Sequence, residues 1–249
     1  MTGVNRKAVK PEEYKTLFEE ENRHWWYKGL HALVLDTLAR QGPPLPHHLV
    51  DVGCGTGGIL SRVEGDCTCT GLDLSPLALG HAKQRSITQL LQASAEAIPL
   101  AAGCADTVLS LDVLYHRQVN DPQGAFHELA RITRPGGILL CNVPAYPWLY
   151  SAHDRAVETG RRFTRKTLRA TMAGTGWQIQ RMTHWNSILF PLAAASRLLR
   201  RNATDSDLQR PGALEQGLGE FALGLERQWL KVGTLAFGLS IFCVAIRED

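Results

Sequence analysis

The sequence lacks an apolar segment long enough to cross a membrane. Its longest apolar run, Val232 to Ile246, is interrupted by glycine, threonine and serine. That run falls short of the roughly 18 to 20 apolar residues that a transmembrane helix needs. Residues 1–22 are polar and of mixed charge, so they lack the apolar core of a signal peptide. We therefore expect a cytoplasmic protein without stable membrane insertion.

The chain also lacks a strong excess of either charge. It contains 27 Lys and Arg against 24 Asp and Glu, which gives a formal net charge of +3. This excess is too small to indicate a nucleic-acid partner. The one dense basic stretch, residues 161–166, is either a solvated helix start or a local site for an anion or a carboxylate.

The six cysteines of the chain are mostly far apart in the sequence. Only Cys67 and Cys69 form a near pair, and this spacing is not that of a zinc knuckle. Most of the cysteines lie in apolar runs, which is typical of buried thiols in a reducing compartment. We expect no metal cofactor.

What the chain does have is a regular alternation of strands and helices. Its 249 residues, 44% of them hydrophobic, suffice for one large α/β domain with extra helices. Short apolar runs and helical segments alternate five times, which is typical of a parallel sheet covered on both faces. Strands are predicted at 48–52, 67–72, 87–92, 106–111 and 137–143, with helices at 57–63, 76–85 and 122–133.

Further elements flank this unit. An irregular polar and aromatic segment, residues 146–162, follows the fifth strand, and residues 202–212 are predicted to form a mobile loop. Thr164 is a plausible cap for the helix that it precedes. The remaining predicted elements are helices at 11–21, 25–40, 164–174, 187–201 and 213–230, and strands at 176–184 and 238–247.

A glycine-rich turn follows the first predicted strand, with the sequence Val50-Asp51-Val52-Gly53-Cys54-Gly55-Thr56-Gly57-Gly58. Glycine lets the backbone turn sharply and lets a ligand approach, and free N–H groups collect where a helix begins. The turn matches the dinucleotide pattern G-x-G-x-x-G, so an NAD(P)-dependent oxidoreductase is one interpretation. Asp51 argues against it, since a carboxylate there would repel a pyrophosphate. The same carboxylate suits a ligand with an amine and a sulfonium.

A second acid, Asp73, ends the second predicted strand. An acid at this point can accept hydrogen bonds from both hydroxyls of a ribose. S-adenosylmethionine (SAM) and NAD both carry that ribose, so Asp73 does not distinguish between them. Ser75 is the better candidate for the helix N-cap.

Four segments, at residues 49–57, 95–100, 105–116 and 129–137, carry recognisable motifs. In this order they resemble the motifs of class I SAM-dependent methyltransferases. Together they cover about residues 47–143. The flanks resemble a bacterial small-molecule subset, methyltransferase type 11-like, in three features: a His-Trp-Trp-aromatic run, paired arginines after the fifth strand, and a Phe-Gly-Leu-Ser strand. The flanking segments are 24–27, 153–162 and 237–240.

The resemblance implies an α/β, Rossmann-like fold with a seven-stranded, mostly parallel sheet and helices on both faces. It implies an N-terminal helical lid at residues 1–46 and a SAM-binding methyltransferase domain at 47–249. A helical insertion at about 187–230 would precede the last strand. The cofactor would be SAM, with S-adenosylhomocysteine as product, and the partner a small-molecule acceptor. The oligomeric state stays open.

The resemblance also assigns residues to the cofactor. Tyr14 and Trp26 would close over the methionine part of SAM, with a cation–π contact to the sulfonium, or the aromatic residues only pack the helix on the sheet. Ser94 stands where related sequences often carry Asp. The predicted cofactor residues are Asp51, Gly53, Cys54, Gly55, Thr56, Gly57, Asp73, Leu74, Ser94, Ala95, Glu96, Leu111, Asp112, Tyr14 and Trp26.

Methyl transfer requires an acceptor held in line with the S–CH₃ bond and shielded from water. A hydroxyl acceptor also needs a general base, usually a histidine at neutral pH. Three histidines are candidates, at positions 24, 116 and 153, and each has a structural role as its alternative. The predicted catalytic residues are His153, Asp154 and His116, and the predicted acceptor-binding residues are Tyr115, Tyr146, Tyr150, Arg161 and Arg162.

The sequence therefore predicts methyl transfer to a small molecule, with an oxygen or carboxylate favoured and a nitrogen as the alternative. Two other functions stay open at this point: an NAD(P)-dependent oxidoreductase and a non-catalytic SAM-binding module. A membrane-associated variant would use the apolar stretch 188–195, which is otherwise a helix packed on the core.

Overall fold

The computed structural model describes residues 11–43, 47–63, 65, 67–199 and 212–249. Its strands are β1 (His48–Val52), β2 (Thr68–Asp73), β3 (Leu90–Gln92), β4 (Ala105–Leu111), β5 (Thr133–Pro144), β6 (Trp177–Trp185) and β7 (Ser240–Arg247). They form one sheet in the spatial order β3-β2-β1-β4-β5-β7-β6. Strands β1 to β5 pair in parallel, and β7 pairs antiparallel with β5 and with β6. The predicted Rossmann-like sheet with one antiparallel strand is confirmed.

Helices surround this sheet. They are α1 (Pro11–Glu20), α2 (Trp25–Gln41), α3 (Leu60–Val63), α4 (Pro76–Gln84), α5 (Pro122–Ile132), α6 (Ala152–Ala156), α7 (Arg165–Met172), α8 (Phe190–Leu199) and α9 (Ala213–Leu230), with a 3₁₀ turn at Pro147–Leu149. The cap predicted at Thr164 is present, because its hydroxyl accepts a hydrogen bond from the Thr167 N–H.

Two hydrophobic clusters, one on each face, hold the helices to the sheet. Along β1, Val50 joins the cluster that contains α5 and α7, whereas Leu49 joins the cluster that contains α2, α3 and α9. Leu139 and Leu140 of β5 divide in the same way. Successive strand residues point to opposite faces, so a sheet apolar at nearly every position must be covered twice.

The helix predicted at 57–63 is much shorter in the structure, where only Leu60–Val63 is helical. Gly57 has φ +79°, a conformation that a right-handed helix cannot contain. The glycine turn therefore continues to residue 59, where the sequence predicts the first turn of a helix.

Other elements also differ from their predicted extents, and β5 begins at Thr133 rather than residue 137. The third strand begins at Leu90 rather than residue 87, after Ser86 at φ +67°. The helix predicted from residue 187 begins at Phe190, because the N–H groups of Ser187 and Ile188 donate to the Glu226 carboxylate. The segment 146–162, predicted as irregular, contains the 3₁₀ turn and α6. Of the loop predicted at 202–212, residues 202–211 lie outside the described residues.

The order of the strands positions a ligand crevice. From β1 the chain proceeds outward through β2 to β3, and then returns to place β4 and β5 on the other side of β1. In open α/β sheets the crevice lies beyond the carboxyl ends of the strands at this reversal. The glycine turn after β1, Asp73 at the end of β2 and Asp112 after β4 all lie at this edge.

The first two helices pack on different parts of the domain. Helix α1 lies against α4, and α2 lies against α9. The division into a lid of residues 1–46 and a domain of residues 47–249 stays a prediction. Within the described part of the chain, no helix is both long and apolar enough to span a bilayer.

Candidate functional site

The glycine turn needs glycine at its first position. Gly53 has φ +82°, and a β-carbon there would lie 2.1 Å from Cγ2 of Val113, which follows β4. The Gly53 and Cys54 N–H groups both donate to the Leu72 carbonyl, at 2.7 and 2.8 Å. The turn is therefore held between β2 and the loop after β4. Gly55 and Gly57 also have positive φ angles.

Asp73 joins the turn to β2. Its Oδ2 accepts the Gly55 N–H at 2.9 Å, and its Oδ1 accepts the Ser75 N–H at 2.8 Å. Burial raises the pKa of this carboxyl, and these backbone hydrogen bonds oppose the shift. Each oxygen has a further lone pair, so the carboxylate can still accept hydrogen bonds from a bound ligand. Ser75 caps α4 by accepting the Ala78 N–H.

Asp51, near the end of β1, is buried at 2% exposure, and its Oδ1 has no hydrogen-bond partner. Burial raises its pKa to about 8, and the nearby carboxylates of Glu21 and Asp73 add to the shift. Such an oxygen is costly to bury unless a partner satisfies it. An ammonium or other cationic group of a ligand would supply that partner.

Glu21 is a site residue that the sequence patterns do not indicate. It directly follows α1, and its carboxylate accepts a hydrogen bond from the Thr56 hydroxyl in the glycine turn. The carboxylate also pairs with Arg85 at 3.0 Å. The sequence predicts that Thr56 binds the cofactor, and in the structure its hydroxyl donates to the Glu21 carboxylate. An acid that ends a helix ahead of the first strand carries no sequence motif, so only the fold places it here.

Helix α1 covers the turn. A β-carbon on Gly55 would lie 3.7 Å from Cδ2 of Leu17. Tyr14 lies three residues before Leu17 and is half-buried, so both lie on one side of the helix. Farther along, Trp26 of α2 packs on Trp185 at the end of β6, with ring centroids 5.7 Å apart.

Asp112 lies directly after β4, at the reversal of strand order. Its φ is +60°, an uncommon conformation for a residue other than glycine, and such strain clusters at functional sites. The Asn142 amide donates to both carboxylate oxygens at 3.0 Å and accepts the Trp185 indole N–H at 2.7 Å. Burial raises the pKa of Asp112 to about 7, although the Asn142 hydrogen bonds oppose the shift.

Two tyrosines share this buried region. Burial raises the pKa of Tyr27, and the charges of Glu21 and Asp112 raise it further. Burial likewise raises the pKa of Tyr115 well above its usual value, with Asp112 and Tyr27 contributing. Tyr115 is predicted to bind the acceptor. Tyr27 is not among the predicted residues, although its neighbour Trp26 is, because an aromatic run does not show which ring faces the site.

The segment after β3 carries the residues predicted to lie beside the adenine. The Ser94 hydroxyl accepts the Glu96 N–H at 3.2 Å, and Ala95 is buried. The Glu96 carboxylate accepts the Asp121 N–H at 2.8 Å, which ties this segment to the start of α5. Three further predicted cofactor residues lie in different surroundings. The Cys54 side chain is buried in the core, and Leu74 is 40% exposed. Leu111 is the last residue of β4.

Asp154 and Arg162 form a fully buried ion pair. The Arg162 Nε donates to the Asp154 carboxylate at 2.7 Å, and its Nη1 donates to the Ala145 carbonyl at 2.7 Å. The other Asp154 oxygen accepts the N–H and hydroxyl of Ser151. The structure thus engages Asp154 with Arg162, whereas the sequence interpretation joins it to His153. His153 lies in α6, and its side chain is outside the described part of the chain.

The other predicted acceptor and base residues lie around the same edge of the sheet. The Tyr146 ring stacks on His184 with centroids 5.2 Å apart. The Tyr150 hydroxyl donates to the Thr159 carbonyl at 3.0 Å, and Arg161 donates to the Val119 carbonyl at 2.9 Å. His116 is half-buried, and burial lowers its pKa.

His24, the remaining candidate base, caps α2 by accepting the Trp26 N–H through Nδ1 at 3.1 Å. Among the described residues, no group of three or more His, Cys, Asp or Glu side chains is arranged to hold a metal ion.

The fold assembles two neighbouring half-sites at the carboxyl ends of the strands. One consists of the glycine turn with Asp51 and Asp73, and the other centres on Asp112.

Comparison with known sequences agrees with this geometry. Residues 50–141, from β1 to most of β5, match the family described as a methyltransferase domain. This match and the relatives below support a class I SAM-dependent methyltransferase domain at these residues. This domain match favours a methyltransferase over the alternative of an NAD(P)-dependent oxidoreductase.

Two curated relatives illustrate the similarity. The chain is 36% identical over 135 residues to malonyl-acyl-carrier-protein O-methyltransferase of Enterobacter lignolyticus, covering 51% of this chain and 53% of that protein. It is 35% identical over 136 residues to ubiquinone biosynthesis O-methyltransferase of Aromatoleum aromaticum, covering 48% and 57% respectively. The chain thus spans about half the length of the curated relatives it matches.

Solved structures show the same fold. Haemonchus contortus phosphoethanolamine N-methyltransferase 2 in complex with SAM matches with a TM-score of 0.65 at 17% identity, covering 99% of this chain and 59% of that chain. The (4+2)-cyclase SpnF matches with a TM-score of 0.58 at 18% identity, covering 90% and 83%. At such identities these likenesses establish the fold alone.

Proposed function

We propose that this chain transfers a methyl group from SAM to an oxygen of a small acceptor, either a hydroxyl or a carboxylate. The observation that carries the proposal is the buried, unpartnered Oδ1 of Asp51 beside a turn whose Gly53 has no room for a side chain. A cationic amino-acid group fits such an oxygen. A pyrophosphate carries no cationic group to satisfy this oxygen, and its negative charge would oppose ionisation of the carboxyl.

The residues present fit the parts of SAM. Asp51 would hold the amino group, and the N–H groups of the glycine turn would face the carboxylate of the methionine part. Asp73, already fixed by two backbone N–H groups, would accept the ribose hydroxyls. Ser94, Ala95 and Glu96 would lie beside the adenine. SAM, when bound, supplies a methyl group activated by its sulfonium.

The acceptor half-site would lie on the Asp112 side of the crevice. Asn142 holds the Asp112 carboxylate in place, and the partly buried Tyr115 and Tyr27 flank it. Such a site excludes water and orients an acceptor oxygen, which supplies much of the rate enhancement in a displacement reaction. A carboxylate acceptor needs no base. For a hydroxyl acceptor, His153 and His116 are the proposed bases.

The curated relatives support oxygen as the methylated atom. Both carry the description O-methyltransferase, one acting on malonyl-acyl-carrier protein and the other in ubiquinone biosynthesis. The acceptor of this chain is proposed to be a small molecule or a small acyl group, without closer identity. A non-catalytic SAM-binding module would show the same half-site for the cofactor, so turnover is the deciding measurement.

Calorimetry tests the cofactor half of the proposal. The purified protein should bind SAM and S-adenosylhomocysteine and should not bind NAD. Asp51→Asn should lower the affinity for SAM and for S-adenosylhomocysteine by about tenfold or more, since removal of one charged hydrogen bond costs ~1.5–3 kcal/mol. Asp249→Asn, at the exposed carboxyl terminus, is the matched control and should bind as the wild type does. Tight NAD binding without SAM binding would overturn the proposal.

Turnover is tested with methyl-labelled SAM and a metabolite extract, followed by mass analysis of the labelled products. A labelled ester or methyl ether is the expected result. SAM binding with no labelled product from any fraction would favour the non-catalytic module instead.

A further inference from the structure

Helix α9 exposes a continuous apolar stripe, which we name the α9 stripe. Its six side chains are between 51% and 86% exposed, and the helix that carries most of them has 18 residues. At 1.5 Å per residue the stripe runs for roughly 27 Å. Exposed apolar patches of this extent usually mark an interaction site. The residues of the α9 stripe are Leu214, Leu218, Phe221, Leu225, Trp229 and Val232.

The opposite side of α9 already meets the rest of the domain. A β-carbon on Gly219 would collide with the Trp25 ring, and one on Gly29 would collide with Leu223. Helices α2 and α9 therefore pack closely through these glycines, with Leu223 and Leu230 in the buried cluster. The α9 stripe is additional to this core contact, and packing among the described residues of one chain does not explain it.

The spacing of the α9 stripe favours a second helix over a lipid surface. Its residues follow one another at intervals of four, three, four, four and three, which makes a narrow seam along the helix. Gly217 and Gly224 flank the seam, and the space around each is open. A helix that lies on a bilayer usually has a Lys- and Arg-rich polar face, whereas exposed Glu215 borders this seam.

The charges at the two ends of α9 indicate the direction of the partner helix. Glu220 and Arg227 are already paired with Lys28 and Asp36 of α2. Near the start of the helix Glu215 contributes a negative charge. Near its end Lys231 contributes a positive one, together with Arg40, which donates to the Lys231 carbonyl at 2.7 Å. A parallel partner would place like charges together, and an antiparallel partner would place opposite charges together.

We propose that the α9 stripe binds the α9 stripe of a second copy of this chain, antiparallel about a twofold axis. A twofold contact requires a self-complementary surface, and the seam has this property. Centred near residue 223, it would place Phe221 opposite Leu225 of the partner subunit. Leu214 would face Val232 of the partner subunit. The dimer joins two methyltransferase domains and is independent of their proposed reaction.

Sedimentation equilibrium of the full chain over the micromolar range tests the proposal. The wild type should be a dimer. Phe221→Glu and Leu225→Lys should each raise the dimer dissociation constant by more than about tenfold, because each buries a charge without a partner. Leu77→Glu, at an equally exposed leucine of α4, is the matched control and should leave the dimer unchanged. Circular dichroism and SAM affinity show that each variant is folded.

The double variant Phe221→Glu/Leu225→Lys tests the direction of the contact. In the antiparallel arrangement each new glutamate faces a new lysine, so the double variant should regain the dimer. In a parallel arrangement each would face its own kind, and failure to regain the dimer would overturn the antiparallel contact. A wild type that stays monomeric, or that instead binds anionic phospholipid vesicles through the same residues, would overturn the proposal entirely.

Discussion

The Glu21 carboxylate accepts a hydrogen bond from the Thr56 hydroxyl, which ties the end of α1 to the glycine turn. The same carboxylate pairs with Arg85 at the end of α4, and both side chains are less than 10% exposed. The Arg85 guanidinium in turn lies over the Phe18 ring, 4.4 Å from its centroid. One buried ion pair therefore fixes the position of α1 over the turn.

Replacement of Glu21 should measure this attachment. In Glu21→Gln the amide still accepts from Thr56, but Arg85 keeps a buried charge without its counter-charge. Breaking a buried pair from one side costs about 3–5 kcal/mol, so the free energy of unfolding should fall by that order. Urea denaturation followed by circular dichroism gives the value. Glu248→Gln, at an exposed carboxylate near the chain end, should change the free energy little, and an equally small change in Glu21→Gln would contradict the role of the pair.

The glycine turn gives a second prediction with a built-in contrast. Gly53→Ala places a β-carbon against Val113 and forces alanine into φ +82°, so both SAM affinity and thermal stability should drop sharply. Gly80 lies within α4, and nothing lies within 4 Å of a β-carbon there. Gly80→Ala should therefore stabilise the protein by about 0.5–1 kcal/mol. Calorimetric melting of both variants checks the pair, and equal effects would refute the steric argument.

Asp51 and Asp112 should make stability depend on pH. Burial raises their pKa values to about 8 and about 7, whereas an aspartate in an unfolded chain titrates near ~3.9. Between these values the folded state binds more protons than the unfolded state. The contribution of these two groups to the free energy of unfolding should therefore fall as pH rises from about 4 to about 8 and should level off above that.

The measurement is the free energy of unfolding across this pH range for wild type and Asp51→Asn. In the variant, the free energy of unfolding should change less steeply with pH, by up to about 1.4 kcal/mol per pH unit for the one group removed. Asp249→Asn serves as the control because it changes an exposed aspartate. If wild type and Asp51→Asn had parallel curves, Asp51 would not be protonated in the folded state.

The same two carboxyls should couple SAM binding to proton release. A cationic ligand favours their ionised forms, so at neutral pH binding should expel protons that the empty site holds. Calorimetric titrations in buffers with different ionisation enthalpies count these protons. Asp51→Asn should release fewer protons than wild type, and an identical count in the two proteins would place the amino group of SAM away from Asp51.

The sheet and the geometry of the glycine turn could be predicted from sequence because local signals specify them. Alternating apolar segments define the five parallel strands, and the glycine turn with Asp73 marks the ends of β1 and β2. These features depend on residues close together in the chain. Glu21 and Tyr27 could not be found in this way, since they reach the site only through the packing of α1 and α2 on the sheet.

Pairing across loops was also beyond the sequence. His153 and Asp154 are neighbours in the chain, and this adjacency suggests a shared role. In the structure the Asp154 oxygens instead accept from Arg162 and Ser151, because α6 turns that carboxylate inward. Similarly, nothing local to Asn142 indicates that it joins Asp112 to Trp185. Such contacts depend on strand order and register, which single-residue patterns do not encode.

The paired arginines give the last prediction, in which two neighbours should behave differently. Arg162 is buried and holds both the Asp154 carboxylate and the Ala145 carbonyl, through two different nitrogens. Lysine has a single ammonium and cannot reproduce this planar fork. Arg162→Lys should therefore lower the free energy of unfolding by about 1–3 kcal/mol. Arg161 makes one hydrogen bond, to the Val119 carbonyl, so Arg161→Lys should lower the free energy of unfolding by under about 1 kcal/mol.

Denaturant titration of both variants, with the acceptor Michaelis constant measured alongside, separates a structural arginine from one that binds the acceptor. If Arg162→Lys left the stability unchanged and raised the acceptor Michaelis constant, Arg162 would act in acceptor binding. Its predicted contribution to stability through the ion pair would then be wrong.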